Sequence, residues 1–408
     1  MADMDRERAQ QLLGASGLDG MVLFQPETFR YATGISAGVA TMWGRAGSAI
    51  ALVPADSTSR LAAVVSDHVF AGTGHLRQSI DLRSHRIWID AVSLHEATSI
   101  SDINAAYRNS NNIGPRPETF DQQACFQLLA DIIKERGLDH ARLGVDLEFM
   151  PTADFTKLKK TIPTVDWQDA SGIVKRLRMI KNPSEIQRLR NAASYAEAGL
   201  QRLAKSAKSG SSIKDLSTSW LTGATDAAIA DGEVLSGHWD YISIGADLQN
   251  MVATVKDGDL IKADVGTLVG GYSSDGARTF VFGQPSTLAS EVYKALLETF
   301  LIGVGALKPG NTFGQVHAVM LATMRKLGFE EYYRGHFGHS VGAAVGIEEW
   351  PFISHGNDIT IEPNMVLALE VPFYANGLGA LMIEEQFLIT STGADTMNRL
   401  SRELVSIV

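Results

Sequence analysis

Cysteine is almost missing from this 408-residue chain: Cys125 stands alone, so no intrachain disulfide can form and any bound metal must be held by oxygen and nitrogen. A reducing compartment fits that usage. Long apolar runs are missing too. None reaches the roughly 18 residues of a membrane span, and the opening MADMDRERAQQLL has no apolar signal core, so the expectation is a cytoplasmic protein. Positive charge is in deficit, with 36 Lys and Arg against 46 Asp and Glu and a net charge of −10. A surface for nucleic acid or an anionic membrane needs the opposite balance, which leaves small molecules or peptides as partners. With 45% hydrophobic and 20% charged residues, the chain is globular and long enough for two or three domains.

The first part alternates helix and strand signals. A helix is expected over 5–17, a strand over 20–24, a turn at Pro26, and strands over 48–54, 61–66 and 143–149. Thr119 and Gln122 suit a capping box for a helix carrying Cys125, Leu128, Leu129, Ile132 and Ile133. The polar stretch 97–118 reads as an exposed loop. These signals predict an α/β domain over residues 1–170. Beyond it, Asn182-Pro183-Ser184-Glu185 opens a long amphipathic helix, with Pro183 in the first turn where its missing N–H costs nothing. Further helices are expected over 212–231, 286–307 and 313–327, interleaved with hairpins, so residues 171–408 read as an α+β domain. Two helix-plus-hairpin units that each donate an acidic pair would suit an internal duplication.

Those acidic pairs carry the chemistry. Around Gly270-Gly271, a two-residue turn places Asp264 opposite Ala277 and puts Asp275 on the same face as a diagonal neighbour. Around Gly377, Glu370 and Glu384 face each other directly. All four lie in sequence rich in Val, Leu, Ile and Phe. Like charges on partly buried strands repel and lose hydration, so such a quartet calls for protons or cations to neutralise it. Divalent metal is the natural candidate. Glu385 adjoins Glu384 but points to the opposite strand face, which gives it a structural role.

Gly338-His339-Ser340-Val341-Gly342 matches the G-x-S-x-G nucleophile elbow. The elbow needs an acid and then a histidine later in the chain, and the sole downstream histidine, His355, follows too closely to leave room for the intervening fold. Read instead as a ligand, His339 sits in RGHFGHSVG, where absent side chains let the backbone bring an imidazole near the carboxylates. One imidazole with four carboxylates suits manganese, cobalt, iron or zinc. Two such ions could share these ligands and polarise a bridging water.

At this point the residues resemble the pita-bread metallopeptidases, the family of aminopeptidase P, prolidase, methionine aminopeptidase and creatinase. The likeness spans nearly the whole chain: FRYATG near the start, RLRMIKNPSEIQRLR at the entry to the second domain, then Asp264, Asp275, the His of GHSVG, the Glu of MVLALEVPFY and the first Glu of MIEEQ. It implies a creatinase-like N-terminal domain and a pita-bread catalytic domain. It further implies Asp264, Asp275, His339, Glu370 and Glu384 as ligands of two divalent ions (Mn, Co, Zn or Fe), and a homodimer. The implied reaction is hydrolysis of a peptide C–N bond, as in Xaa-Pro dipeptidases and aminopeptidase P, by a metal-activated hydroxide with Glu370 moving the proton. The departures lie around the substrate. Gly346 stands where the family's peptidases carry a second histidine, Met382 where they carry an arginine, and Asp247 where a histidine is expected before the first ligand. His238 and His336 are candidate replacements for proton transfer or substrate binding, with a structural role as the alternative for each. These changes keep open a small non-peptide amide or a lyase substrate, as in creatinase-like hydrolases and dimethylsulfoniopropionate lyases. A non-catalytic pita-bread binding protein is the reading from another class.

Overall fold

The computed structural model describes residues 2–94, 97–110, 114–343 and 348–407. The chain divides into two compact units between Leu177 and Arg178.

The first unit is α/β. In chain order it contains α1 (Arg6–Ala15), β1 (Gly20–Leu23), α2 (Pro26–Thr33), β2 (Ile50–Pro54), β3 (Leu61–Ser66), α3 (Asp67–Ala71), β4 (Ile80–His85), α4 (Ile100–Asn109), α5 (Gln122–Glu135), β5 (Arg142–Val145), α6 (Thr152–Thr161), β6 (Asp166–Asp169) and α7 (Ser171–Met179), which crosses the division. Its strands form a sheet in the order β4-β3-β2-β1-β5-β6. The β1–β2 and β2–β3 pairs are antiparallel and the others parallel. Successive β1 residues pack to opposite sides, Met21 and Leu23 with Leu13 and Phe29, Val22 with Phe126 and Leu129. Both faces are therefore covered, which is why β1, β2 and β3 read as continuous apolar runs.

Local physics overturns several expectations here. Pro26 opens α2 at its first position rather than making a turn; a proline with its fixed φ serves either purpose equally well. The stretch expected as a loop contains α4, started by a reciprocal capping box between Ser99 and Asp102. Helix α5 is capped by Asp121, which accepts from the Ala124 N–H, while the Gln122 amide donates to the Ala46 carbonyl. The strand expected over 143–149 stops at Val145 because the Asp146 carboxylate turns in to accept the N–H groups of Phe24 and Gln25.

The second unit is α+β. It comprises α8 (Pro183–Ser206), α9 (Ile213–Ala230), β7 (Leu235–Ile244), β8 (Leu260–Val269), β9 (Tyr272–Ser273), β10 (Gly276–Phe282), α10 (Thr287–Ala306), α11 (Phe313–Lys326), β11 (His336–Ser340), β12 (Glu349–Ser354), β13 (Val366–Ala375), β14 (Gly379–Ile389), β15 (Ala394–Thr396) and β16 (Val405–Ile407). One sheet runs β16-β10-β8-β7 with β9 on β8, the other β12-β11-β13-β14-β15. The two meet along β10 and β14, where Thr279 Oγ1 donates to the Met382 carbonyl and accepts the Met382 N–H. Helix α8 starts as its sequence predicts, with Asn182 and Glu185 forming a capping box and Pro183 at the first position.

The unit repeats itself. Helices α8 and α9 followed by β7, β8 and β10 match α10 and α11 followed by β11, β13 and β14. Ser212 and Thr312 cap α9 and α11 with the same capping-box chemistry, and each makes an isolated bridge to a later threonine, Thr254 or Thr360. The middle strands β8 and β13 are each 10 residues long, with Asp264 and Glu370 at the fifth place of each.

Candidate metal centre

Strand register delivers the carboxylates. Asp264 pairs with Ala277 across β8 and β10, helped by Gly270 and Gly271, whose positive φ values of 54° and 77° are what a tight two-residue turn requires. Glu370 pairs directly with Glu384 across β13 and β14. Asp275 lies in the gap between β9 and β10, its N–H donating to Gln386 Oε1 at 3.3 Å. His339 arrives on β11 opposite Ala368. Gly338 makes that approach possible: at its φ of 136°, an added Cβ would stand 2.0 Å from the Ala368 carbonyl oxygen.

Asp275, His339 and Glu384 each offer one donor atom, and these atoms lie within 4.8 Å of one another in a buried setting. His339 is oriented for ligation. Its Nδ1 contacts the Ser340 carbonyl at 2.9 Å, and its Nε2 stands 3.4 Å from Asp275 Oδ2. A backbone acceptor on one ring nitrogen fixes the tautomer that leaves the other free as a ligand. The donor set fits a divalent cation in type, oxygen and nitrogen without sulfur, and in electrostatics. Burial pushes Asp275 up to about 7, with Asp264 and Glu370 adding to the rise and His339 opposing it. Burial and the charges of Asp275, Asp264 and Glu370 drive Glu384 well above the ordinary carboxylate range. For His339, burial alone would lower the proton affinity, but the Asp275 hydrogen bond and charge raise it to about 9. Such crowded negative charge is what a cation offsets.

The other two sequence-predicted ligands already face protein cations. Asp264 Oδ2 lies 3.1 Å from Lys262 Nζ; burial raises its proton affinity against the pull of Lys262. Glu370 receives Arg334 at 3.0 Å and His336 Nδ1 at 3.2 Å. Burial would raise its pKa, but the His336 hydrogen bond and the Arg334 charge leave it below the ordinary value. His336 also stands 3.9 Å from Glu348. His238 goes elsewhere. From β7 it pairs with Thr267 of β8, while Asp264 pairs with Tyr241 three residues on, so His238 projects from the opposite face of the sheet. There it is exposed, with its ring 6.2 Å from that of Trp220 on α9. We correct its expected place in the site accordingly.

Ser340 of the elbow-like motif ends β11, fully buried, accepting from Lys181 Nζ at 2.7 Å and donating to the Val366 carbonyl. It is structural. Met382 is buried and receives the Tyr374 hydroxyl at 3.7 Å. Asp247 is exposed and accepts the Gln249 N–H in a turn; Gly346 lies outside the described residues. Sequence reading missed Lys262, Arg334 and Tyr374. Burial raises the Tyr374 phenol, and Asp264, Glu370 and Glu384 raise it further, which puts this side chain in the field of the site. Lys262 and Tyr374 each keep an even spacing from a carboxylate on their own strand, and that was the available signal.

A model of metallopeptidase family M24 matches residues 187–391, and one of the creatinase/prolidase N-terminal domain matches residues 6–180. An Xaa-Pro dipeptidase of Lactobacillus helveticus is 26% identical over 292 residues, covering 70% of this chain and 77% of that protein. A peptidase of Bacillus subtilis named YqhT is 26% identical over 408 residues, covering 98% and 99%. Among solved structures, an Xaa-Pro dipeptidase from Bacillus anthracis superposes with a TM-score of 0.78 at 21% identity, covering 98% of this chain and 99% of the other.

Proposed function

The chain belongs to metallopeptidase family M24 and is a metal-dependent peptide hydrolase; from that premise we propose that it cleaves the C–N bond before proline in dipeptides or short peptides, as an Xaa-Pro dipeptidase or aminopeptidase P-like enzyme. The observation that carries the proposal is the buried convergence of Asp275, His339 and Glu384. These three hold an ion, and the resemblance implies Asp264 and Glu370 as further ligands of a dinuclear centre.

When bound, a divalent ion supplies Lewis acidity that polarises the scissile carbonyl and acidifies water. Glu370, held ionised by Arg334 and His336, accepts the proton released by attacking water and passes it to the leaving nitrogen. His336 keeps Glu370 aimed and, being only part-buried, connects it to solvent. Manganese is the cation we favour, since oxygen donors dominate the set. A homodimer rests on the resemblance, and a cytoplasmic location on the lone cysteine; among the described residues no helix is long and apolar enough to cross a membrane.

Metal content and turnover of Xaa-Pro dipeptides test the reading. Chelation is expected to abolish turnover and Mn²⁺ to restore it, while His339→Ala loses roughly 100-fold or more in kcat/KM, the scale of several kcal/mol of Lewis-acid stabilisation. A metal-free enzyme as active as the loaded one would overturn it. A second reading is favoured by Met382 and Asp247 at positions where the family's peptidases carry arginine and histidine. It keeps the ion and changes the substrate to a small non-peptide amide or a lyase substrate. Failure to turn over an Xaa-Pro panel, with turnover of small amides by the metal-loaded protein, would select it.

A further inference from the structure

We propose that Lys262 serves as a built-in second cation, so that this centre takes a single divalent ion, on Asp275, His339 and Glu384. The inference rests on the metal-dependent reading above. It starts from the internal repeat. Asp264 and Glu370 hold the same place in β8 and β13, so Lys262, two residues before Asp264, corresponds to Ala368, two residues before Glu370. Across the neighbouring strand, Ala368 pairs with His339 and Lys262 pairs with Ser243. Each half therefore fills the equivalent rung with one basic side chain, contributed from a different strand of the set. In the second half it is an imidazole, which binds a metal; in the first it is an ammonium, which carries its own charge.

The ammonium is committed to the acidic cluster. The Lys262 side chain is 8% exposed, and Nζ stands 3.1 Å from Asp264 Oδ2. A buried lysine on a strand of apolar residues needs an anionic partner, and an ammonium has no lone pair with which to ligate a metal. Charge balance agrees. Asp264, Asp275, Glu370 and Glu384 carry four negative charges when ionised. Lys262 at Asp264 and Arg334 at Glu370 return two of them, which leaves the charge of one divalent ion to be supplied. The donor geometry agrees as well, since the group of converging ligand atoms among the described residues comprises Asp275, His339 and Glu384 and omits Asp264 and Glu370.

The test counts ions. Purified protein is dialysed against Mn²⁺ and the metal per chain measured by mass spectrometry, with electron paramagnetic resonance of the bound manganese as a second readout. Wild type is expected to hold one ion with the spectrum of an isolated Mn²⁺. Lys262→Met frees Asp264 and is expected to hold two, with an exchange-coupled spectrum and at least a tenfold gain in affinity for the second ion; Lys262→Arg keeps the charge and is expected to stay at one. Two ions of similar affinity in wild type would overturn the proposal while leaving metallopeptidase function standing, and so would a folded Lys262→Met that still takes one. If Lys262→Met does not fold, the wild-type count and spectrum decide. No ion at all in wild type would defeat the metal-dependent reading itself, a different result from either.

Discussion

Glu384 and Glu385 are adjacent acids with opposite tasks, separated by the side-chain period of a strand. Glu384 converges with Asp275 and His339, whereas Glu385 is buried between Arg278 and Arg402 and accepts from Thr396. Glu385→Ala strips a buried Arg278 of its partner and is expected to cost about 3–5 kcal/mol in urea unfolding, the scale for breaking a buried ion pair by removing one side. Glu384→Gln is expected to do the reverse, losing bound metal while raising the Tm of the metal-free protein at pH 8, because it removes one charge from a crowd of like charges. The period of two told these glutamates apart from sequence alone. Lys262 obeyed the same rule and was overlooked because a search for acids does not look for the cation that shares their face. Arg334 was beyond reach, since it precedes β11 in an irregular segment whose path no period describes.

Individual elements show the same division between local and distant causes. Capping boxes and hairpin registers are written within a few residues, so the start of α8 and both acidic registers were legible. Asn182→Ala is expected to destabilise the second unit by about 1 kcal/mol, the usual worth of an N-cap, as seen in the midpoint of denaturant unfolding. Helix α4 was not legible because its Ser, Asn and Asp residues favour caps and turns as readily as helix. Strand β7 was missed for a related reason: LSGHWDYISI mixes polar and apolar residues, and its hydrogen bonds come from β8, whose first residue lies 16 positions beyond the end of β7. The early end of β5 depends on Asp146 reaching backbone N–H groups more than 120 residues away, which no window over the sequence contains.

At the scale of the whole molecule, the acidic centre couples metal to stability. The folded values of Asp275, about 7, and of Glu384 stand above their ordinary values, so without metal the folded state holds more protons than the unfolded one from about pH 4 upward. His339 extends the effect, its folded value of about 9 lying above the ordinary 6.5. Stability of the metal-free protein is therefore expected to fall as pH rises from about 4 to 9. Ligation requires the deprotonated donors, so the gain in Tm on adding Mn²⁺ is expected to be larger at pH 8 than at pH 5.5, measurable by scanning calorimetry. A gain that is equal or smaller at pH 8 would contradict this.

The matched halves of the second unit also speak to descent. Each half supplies an acid at the fifth place of its middle strand, Asp264 or Glu370, as duplication of one helix-plus-hairpin unit would give. The rung two residues earlier has no such match: it holds Lys262 in one half and Ala368, opposite His339, in the other.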